Sequence, residues 1–351
     1  YSARALYEFL TPGTSLLVMF LSVAYVGFVS VLYQSDKLAL AGLVMAAIAP
    51  LLTNIPEPSV VGLFSYLLVV IVGTIWIVRQ TGSHVLTLAA LVVAFLYSLP
   101  FIDAADFTST DQTAALLFAF VFAALFFGTN TISILKQNSS AARKGQIVTA
   151  LFTGLYLVFW IELVVASDIR GLLYVLWMLI FSAGSFVVYT KTVDRTPFFM
   201  YSAVTIGLLF AATATELSGP VLTLAYTAEV TVLLLLARQY IAKSISEKLV
   251  WLFVLPVFLS LESLNASSWN SGFLHWDLVT LLVTAAGLGV VGWVYLQTRV
   301  AGEEKNHFAE VLLGVSAFYL LSLVWLISHS VLAYDVATTV SLIIYTVLGL
   351  A

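Results

Sequence analysis

Midway along the stretch LTLAYTAEVTVLLLLARQY, residues 222–240, stands a single carboxylate, Glu229. The stretch is apolar and long enough to cross a bilayer, so the acid falls near the midplane. An ionised acid there costs about 2.5–3.5 kcal/mol on insertion scales, which makes it a candidate functional group. The nearest base in sequence, Arg238, is about 14 Å further along the helix axis, too far to pair. Glu229 is therefore expected to face the bundle interior. Tyr226, one turn earlier, and Thr213 and Thr215 on the preceding span are its candidate hydrogen-bond partners. Two chemistries fit this residue: a protonation or ion-coupling site, and a protonated interhelical hydrogen bond that fixes packing.

A second set of groups sits where a helix disfavours acids. Asp103, Glu162, Glu216 and Glu262 fall at the C-terminal ends of apolar runs, in LPFID, FWIELVV, TATELSG and SLESLN. A helix C-terminus repels a carboxylate through its dipole. His329 occupies the matching place in LISHSVL. Either these groups simply reach water at helix ends, or some converge on an acidic cavity that binds a cation, an amine or sugar hydroxyls. Arg170 is the natural partner for whichever carboxylate lies nearest. Other acids read as caps. Asp111, Asp168, Asp277 and Asp335 fall near helix starts, Glu57 precedes one, and SISE (244–247) has the spacing of a capping box.

No Walker A loop, dinucleotide fingerprint, HExxH or nucleophile elbow is present, so no catalytic residue is assigned. Cysteine is absent and the four His are scattered, which leaves no clustered metal ligands; HWD (275–277) reads as an interfacial Trp beside a capping Asp. No cofactor, metal or nucleic-acid partner is expected. The expected partner is the lipid bilayer, with a small-molecule or lipid-linked ligand and further membrane-complex subunits left open.

The elements that carry these residues follow from composition. The chain is 62% hydrophobic and 9% charged. Soluble domains are about 25% charged, so lipid must be the solvent for most of this one. Apolar runs place about 13 transmembrane helices near 14–33, 38–53, 59–78, 84–102, 113–135, 146–166, 171–189, 197–216, 219–240, 247–263, 276–298, 308–331 and 336–351. The reading is an all-α polytopic transmembrane helix bundle with short loops. A short interfacial helix over SARALYEFL precedes it, and GLGVVG in the eleventh span reads as a close-packing face.

Charge sets direction. Of the 14 Lys and Arg, Arg4 and Arg170 fall on the side of the first residue (side A) and the other twelve on the opposite side (side B). By the positive-inside rule side B is cytoplasmic and the N-terminus is outside. Trp76, Trp251 and Trp293 near side B, with Trp160, Trp276 and Trp325 near side A, read as aromatic belts.

Hairpins at 63–92 and 222–253 look alike, and TVSLIIYTVLGLA (339–351) resembles the start of a third copy, as in bundles grown by duplication. These segments, with LALAGLVMAAIAPLLT (38–53) and the Tyr-x-x-Glu of the ninth span, resemble a family of predicted many-span prokaryotic membrane proteins. It is catalogued as domain of unknown function two-three-three-nine. The resemblance covers most of the chain. It implies a bacterial or archaeal cytoplasmic (inner) membrane and a longer parent chain, consistent with ends that look cut, and it brings no established activity. The chain reads as one transmembrane domain, 1–351. Three functions stay open: transport of a small solute or envelope intermediate through Glu229, an outward-facing transferase on a lipid-linked substrate using two outer carboxylates as acid and base, and a structural or assembly subunit.

Overall fold

In lipid every backbone polar group must be bonded internally, so an apolar chain of this kind has helices as its main solution. A computed structural model describes residues 12–52, 60–82, 84–101, 109–136, 140–240, 247–297 and 307–350. Among them are thirteen α-helices and no strand. They are α1 (Pro12–Leu32), α2 (Asp36–Leu52), α3 (Val60–Thr81), α4 (His84–Leu96), α5 (Ser109–Lys136), α6 (Ser140–Val164), α7 (Ser167–Lys191), α8 (Thr196–Glu216), α9 (Gly219–Tyr240), α10 (Val254–Leu264), α11 (Trp276–Gln297), α12 (His307–Val331) and α13 (Tyr334–Leu350). Each overlaps one expected span. Nine helical runs among the described residues are long and apolar enough to cross a membrane. The expected interfacial helix, Glu57 and residues 244–246 lie outside the described residues.

Burial along α3 shows why lipid must surround it. Val60, Phe64, Leu67, Ile71, Thr74 and Val78 form a buried stripe. The opposite face carries Val61, Val69, Val72 and Trp76, each about half exposed. A water-facing helix would be polar there. Trp76, Trp251, Trp276, Trp293 and Trp325 are likewise exposed, as belt residues should be. Trp160 is not a belt residue. It is fully buried against Phe64, and its indole N–H donates to the Ser98 hydroxyl at 3.1 Å. That local partner lets the indole enter the core.

Prolines explain two of the places where helices depart from the expected spans; α5, α6 and α7 also begin four to six residues before theirs. The fourth span was expected to reach residue 102, but α4 ends at Leu96 and a short 3-10 segment, Leu99–Phe101, follows. Pro100 has no N–H to give the Leu96 carbonyl and disfavours helix at Leu99. The tenth span passes from helical residues 247–249 through a 3-10 turn, Val250–Phe253, before α10 begins. Pro256 thus falls in the first turn of α10, where its missing N–H costs nothing. Pro50 instead lies inside α2 and frees the Ala46 carbonyl. The Tyr66 hydroxyl donates to that oxygen at 2.8 Å, and the Tyr97 hydroxyl donates to Ala47 O. Tyr66→Phe is expected to destabilise the chain by about 1–2 kcal/mol, since it orphans a carbonyl at membrane depth. The check is the thermal midpoint beside that of a Tyr25→Phe control, whose ring is 69% exposed.

The described chain forms two compact units, Tyr1–Ala212 and Thr213–Ala351. In the first, aromatic rings dominate the core: Phe64, Phe122, Phe126 and Trp160 in one cluster, Tyr174, Phe181 and Tyr201 in another. Gly184 lets the Phe127 ring seat on α7, since a Cβ there would lie 2.5 Å from the ring edge. A buried polar group crosses three helices of this unit. Asn130 Nδ2 donates to Gln146 O at 3.1 Å and to the Tyr201 hydroxyl at 3.3 Å, and Thr131 meets the same hydroxyl at 2.9 Å. In lipid such bonds hold helices together.

At the helix ends of the same unit, Arg143 on α6 pairs with Asp194 in the α7–α8 loop at 2.7 Å. Partial burial opposes ionisation of Asp194. Hydrogen bonds from the Thr196 backbone N–H and hydroxyl, with the Arg143 charge, outweigh it and hold the carboxyl below its ordinary value. The folded value lies below the unfolded one, so this stabilisation is complete above about pH 4 and is lost as pH falls through the folded value. The wild type is therefore expected to exceed Asp194→Asn in thermal stability near neutral pH, by about 0.5–1 kcal/mol for so exposed a pair, with the gap closing in acid. Melting both chains across that range checks it.

Candidate functional site

The second unit holds Glu229. Gly219 turns the chain from α8 into α9 with φ +57°, a left-handed conformation that favours glycine. The turn returns α9 beside Thr213, near the end of α8. The Thr213 hydroxyl donates to Glu229 Oε1 at 2.6 Å. Glu229 lies midway along the 22-residue α9, as expected. Its Oε2 is buried and has no hydrogen-bond partner among the described residues. No ion pair reaches it within that set. Arg238, the base considered as a partner, instead lies over the Tyr295 ring at 5.3 Å.

The other expected partners are placed differently. Tyr226 is 5% exposed, one turn before Glu229 on the same helix. Thr215 is two residues beyond Thr213, a rotation of about 200° around α8, so the two hydroxyls face different ways.

A polar feature that sequence reasoning missed lies on the far side of α9. Thr223, Thr227 and Thr231 repeat every fourth residue and share one face, about 200° from Glu229. They pack on α11, where Thr280 and Thr284 are fully buried. Thr227 meets Thr284 at 3.3 Å, and Thr280 donates to Pro220 O at 3.2 Å. A Cβ on Gly287 would lie 2.7 Å from the Thr231 hydroxyl, and one on Gly292 would lie 2.9 Å from Leu313 of α12. The glycines of α11 thus do what their spacing suggested: they let α9 and α12 close on either side. The ladder was legible as TxxxTxxxT in LTLAYTAEVT. It fixes how α9 is rotated, and so where Glu229 points.

The set at helix C-terminal ends divides. Asp103 lies outside the described residues. Glu162 is committed to structure: Arg170 Nη1 meets its Oε2 at 2.6 Å, and the Tyr174 hydroxyl donates to its Oε1 at 2.8 Å. Arg170 also donates to the carbonyls of Glu162 and Val165, at 3.2 and 2.9 Å, and so covers the open end of α6. This pairing explains an acid at the unfavourable end of a helix. Glu216 and Glu262 are exposed. His329 lies against Trp325 with ring centroids 4.0 Å apart, and its Nδ1 is 2.9 Å from Trp325 O. Among the described residues no hydrogen bond or ion pair joins the members of this set except Glu162 with Arg170.

The HWD segment makes a small cluster of its own. Ser268 donates to Asp277 Oδ2 at 2.7 Å, and His275 Nδ1 lies 3.4 Å from the same oxygen. The serine faces the acid and not the imidazole, so this is no nucleophile–base pair. Asp111, Asp168, Asp277 and Asp335 each fall in the first turn of a helix, the end its dipole favours for an acid. No group of three potential metal ligands occurs among the described residues.

A family model described as "Predicted membrane protein (DUF2339)" matches residues 1–351, so the resemblance read from the apolar segments extends over the whole chain. No curated protein and no solved structure matches it.

Proposed function

We propose that this chain, which belongs to the DUF2339 family of predicted membrane proteins, is a multi-pass transport protein in which Glu229 takes up and releases a proton or cation. One observation carries this reading: a mid-helix carboxylate with a single neutral donor and a second oxygen that is buried and unbonded. A residue kept only for packing would satisfy both oxygens, because an unpaired buried polar atom costs about 1–3 kcal/mol. A bound cation would complete it, and a proton would remove its charge. The distribution of bases supports placing side B in the cytoplasm, and the resemblance stated above implies the cytoplasmic membrane of a prokaryote. The paired-carboxylate enzyme has less support, because Glu162 is already neutralised by Arg170.

Binding to the folded state alone appears as stabilisation, about 2.7 kcal/mol at a hundredfold excess over Kd. Thermal midpoints of the purified chain measured against Na⁺, K⁺ and proton concentration test this. A midpoint response to one of these ions that is larger in the wild type than in Glu229→Gln supports the reading. Midpoints that respond identically in both chains would refute it.

A further inference from the structure

In the first unit, α1, α2 and α3 leave a cavity of about 330 Å³ between them. Its lining contains no ionisable residue, and its one hydroxyl, Thr74, donates to Val70 O at 2.8 Å within its own helix. Each helix contributes one glycine: Gly27, Gly42 and Gly73. Gly27 and Gly42 approach neighbouring side chains, with a Cβ falling 3.1 Å from Ile77 and from Val26. Gly73 is different. A Cβ there would meet nothing within 4 Å. Helix packing does not demand this glycine; its effect is to leave space.

The dimensions match one lipid leaflet. The lining runs over residues 20–28 of α1, 39–46 of α2 and 69–77 of α3. Each stretch rises about 10–12 Å. Half of a hydrocarbon core of about 30 Å is about 15 Å. The cavity is also continuous with the lipid-facing surface, because Phe28, Val72 and Trp76 line it and are 58%, 49% and 47% exposed. One end is marked by charge. Ala39, Trp76 and Ile77 lie within three residues of Lys37 and Arg79, which are exposed on the basic side. Asp36 neighbours Lys37, so the positive charge at this end rests mainly on Arg79.

We propose that this cavity is a lipid site that takes one acyl chain of an anionic phospholipid from the side-B leaflet, with Arg79 meeting its phosphate. An apolar slot of leaflet depth, open to the bilayer and basic at its headgroup end, fits that ligand in length, polarity and charge. A zwitterionic lipid offers Arg79 the same phosphate, but its own ammonium offsets that charge and weakens the attraction. The inference rests on the membrane setting alone and is independent of Glu229.

Native mass spectrometry of the full chain, titrated in detergent with phosphatidylglycerol or phosphatidylcholine, tests the site. The wild type is expected to retain one phosphatidylglycerol in preference to phosphatidylcholine. Gly73→Phe, which fills open space, should lose it. Arg79→Gln should weaken the preference about fivefold, the effect of one basic residue near an anionic surface. Equal retention by wild type and Gly73→Phe would overturn the proposal, as would equal retention of the two lipids by wild type. Should Gly73→Phe not fold, Trp76 decides. Its emission, taken as wild type minus Trp76→Phe, should be quenched more by chain-brominated phosphatidylglycerol than by chain-brominated phosphatidylcholine; equal quenching would overturn the site. The chain has no cysteine. A disulfide formed between two Gly73→Cys chains in membranes would show a second copy filling the slot and would also overturn it.

Discussion

Glu229→Gln is expected to leave the chain folded and to abolish its response to a transmembrane ion gradient. Gln has nearly the same shape as Glu, and its amide oxygen still accepts the Thr213 hydroxyl, which lies 2.6 Å from Glu229 Oε1. What is lost is the capacity to gain or lose a proton, or to neutralise a cation. Stability should not fall, and it should rise if the native group carries charge, because an ionised acid at the bilayer centre costs about 2.5–3.5 kcal/mol. Loss of function with equal or greater stability is the pattern of a residue kept for chemistry. Thr213→Val should act in the opposite sense. It removes the only donor to Oε1 among the described residues and should lower stability by about 1–2 kcal/mol. Thermal melts of the two variants, with an ion-gradient response in vesicles, separate the two effects.

The largest structural effect is expected at Gly287. Its missing Cβ lies where any side chain would be 2.7 Å from the Thr231 hydroxyl and 3.0 Å from the Thr227 methyl. Gly287→Leu must push α9 away from α11 and break the Thr227–Thr284 contact. Overpacking of this kind costs about 1–3 kcal/mol, and the rotation of α9 that aims Glu229 goes with it. Gly287→Ala should cost less and should be rescued in part by Thr231→Ala, which clears the nearest atom. The double variant should then be more stable than the sum of the single effects, a coupling of about 0.5–3 kcal/mol for residues in contact. Additive effects would mean that the two helices do not close at this point.

Most of the architecture was legible because hydropathy in a membrane chain is nearly a direct record of helix position. Thirteen apolar runs became thirteen helices, and the acids expected at helix starts are in first turns. Two of the departures came from prolines. An apolar run containing Pro100 or Pro256 reads as one span, although each residue removes a backbone bond. At Pro50 the freed carbonyl is served by Tyr66, a residue whose role depends on tertiary contact and leaves no local signal.

The site was legible in part for a similar reason. Glu229 stood out because its cost is intrinsic to its place in the span, and Thr213 was among its expected partners. Thr215 and Thr213 could not be separated until the rotation of α8 was known. Trp160 looked like a belt residue because depth alone was visible; its burial depends on Ser98, far away in sequence. Glu162 could be matched to Arg170 only once α6 and α7 were seen side by side. The threonine ladder was visible as spacing, but threonine is common enough in spans that the repeat carried no weight without Gly287 opposite it.

Difference infrared spectroscopy of the reconstituted chain, wild type against Glu229→Gln, bears most directly on the role of Glu229. Ion coupling predicts a carboxyl band that is absent from the Gln variant, changes with pH, and shifts when an ion gradient is applied across the membrane. A band that keeps one protonation state across the whole pH range and ignores the gradient would contradict coupling and make Glu229 a packing residue held by Thr213.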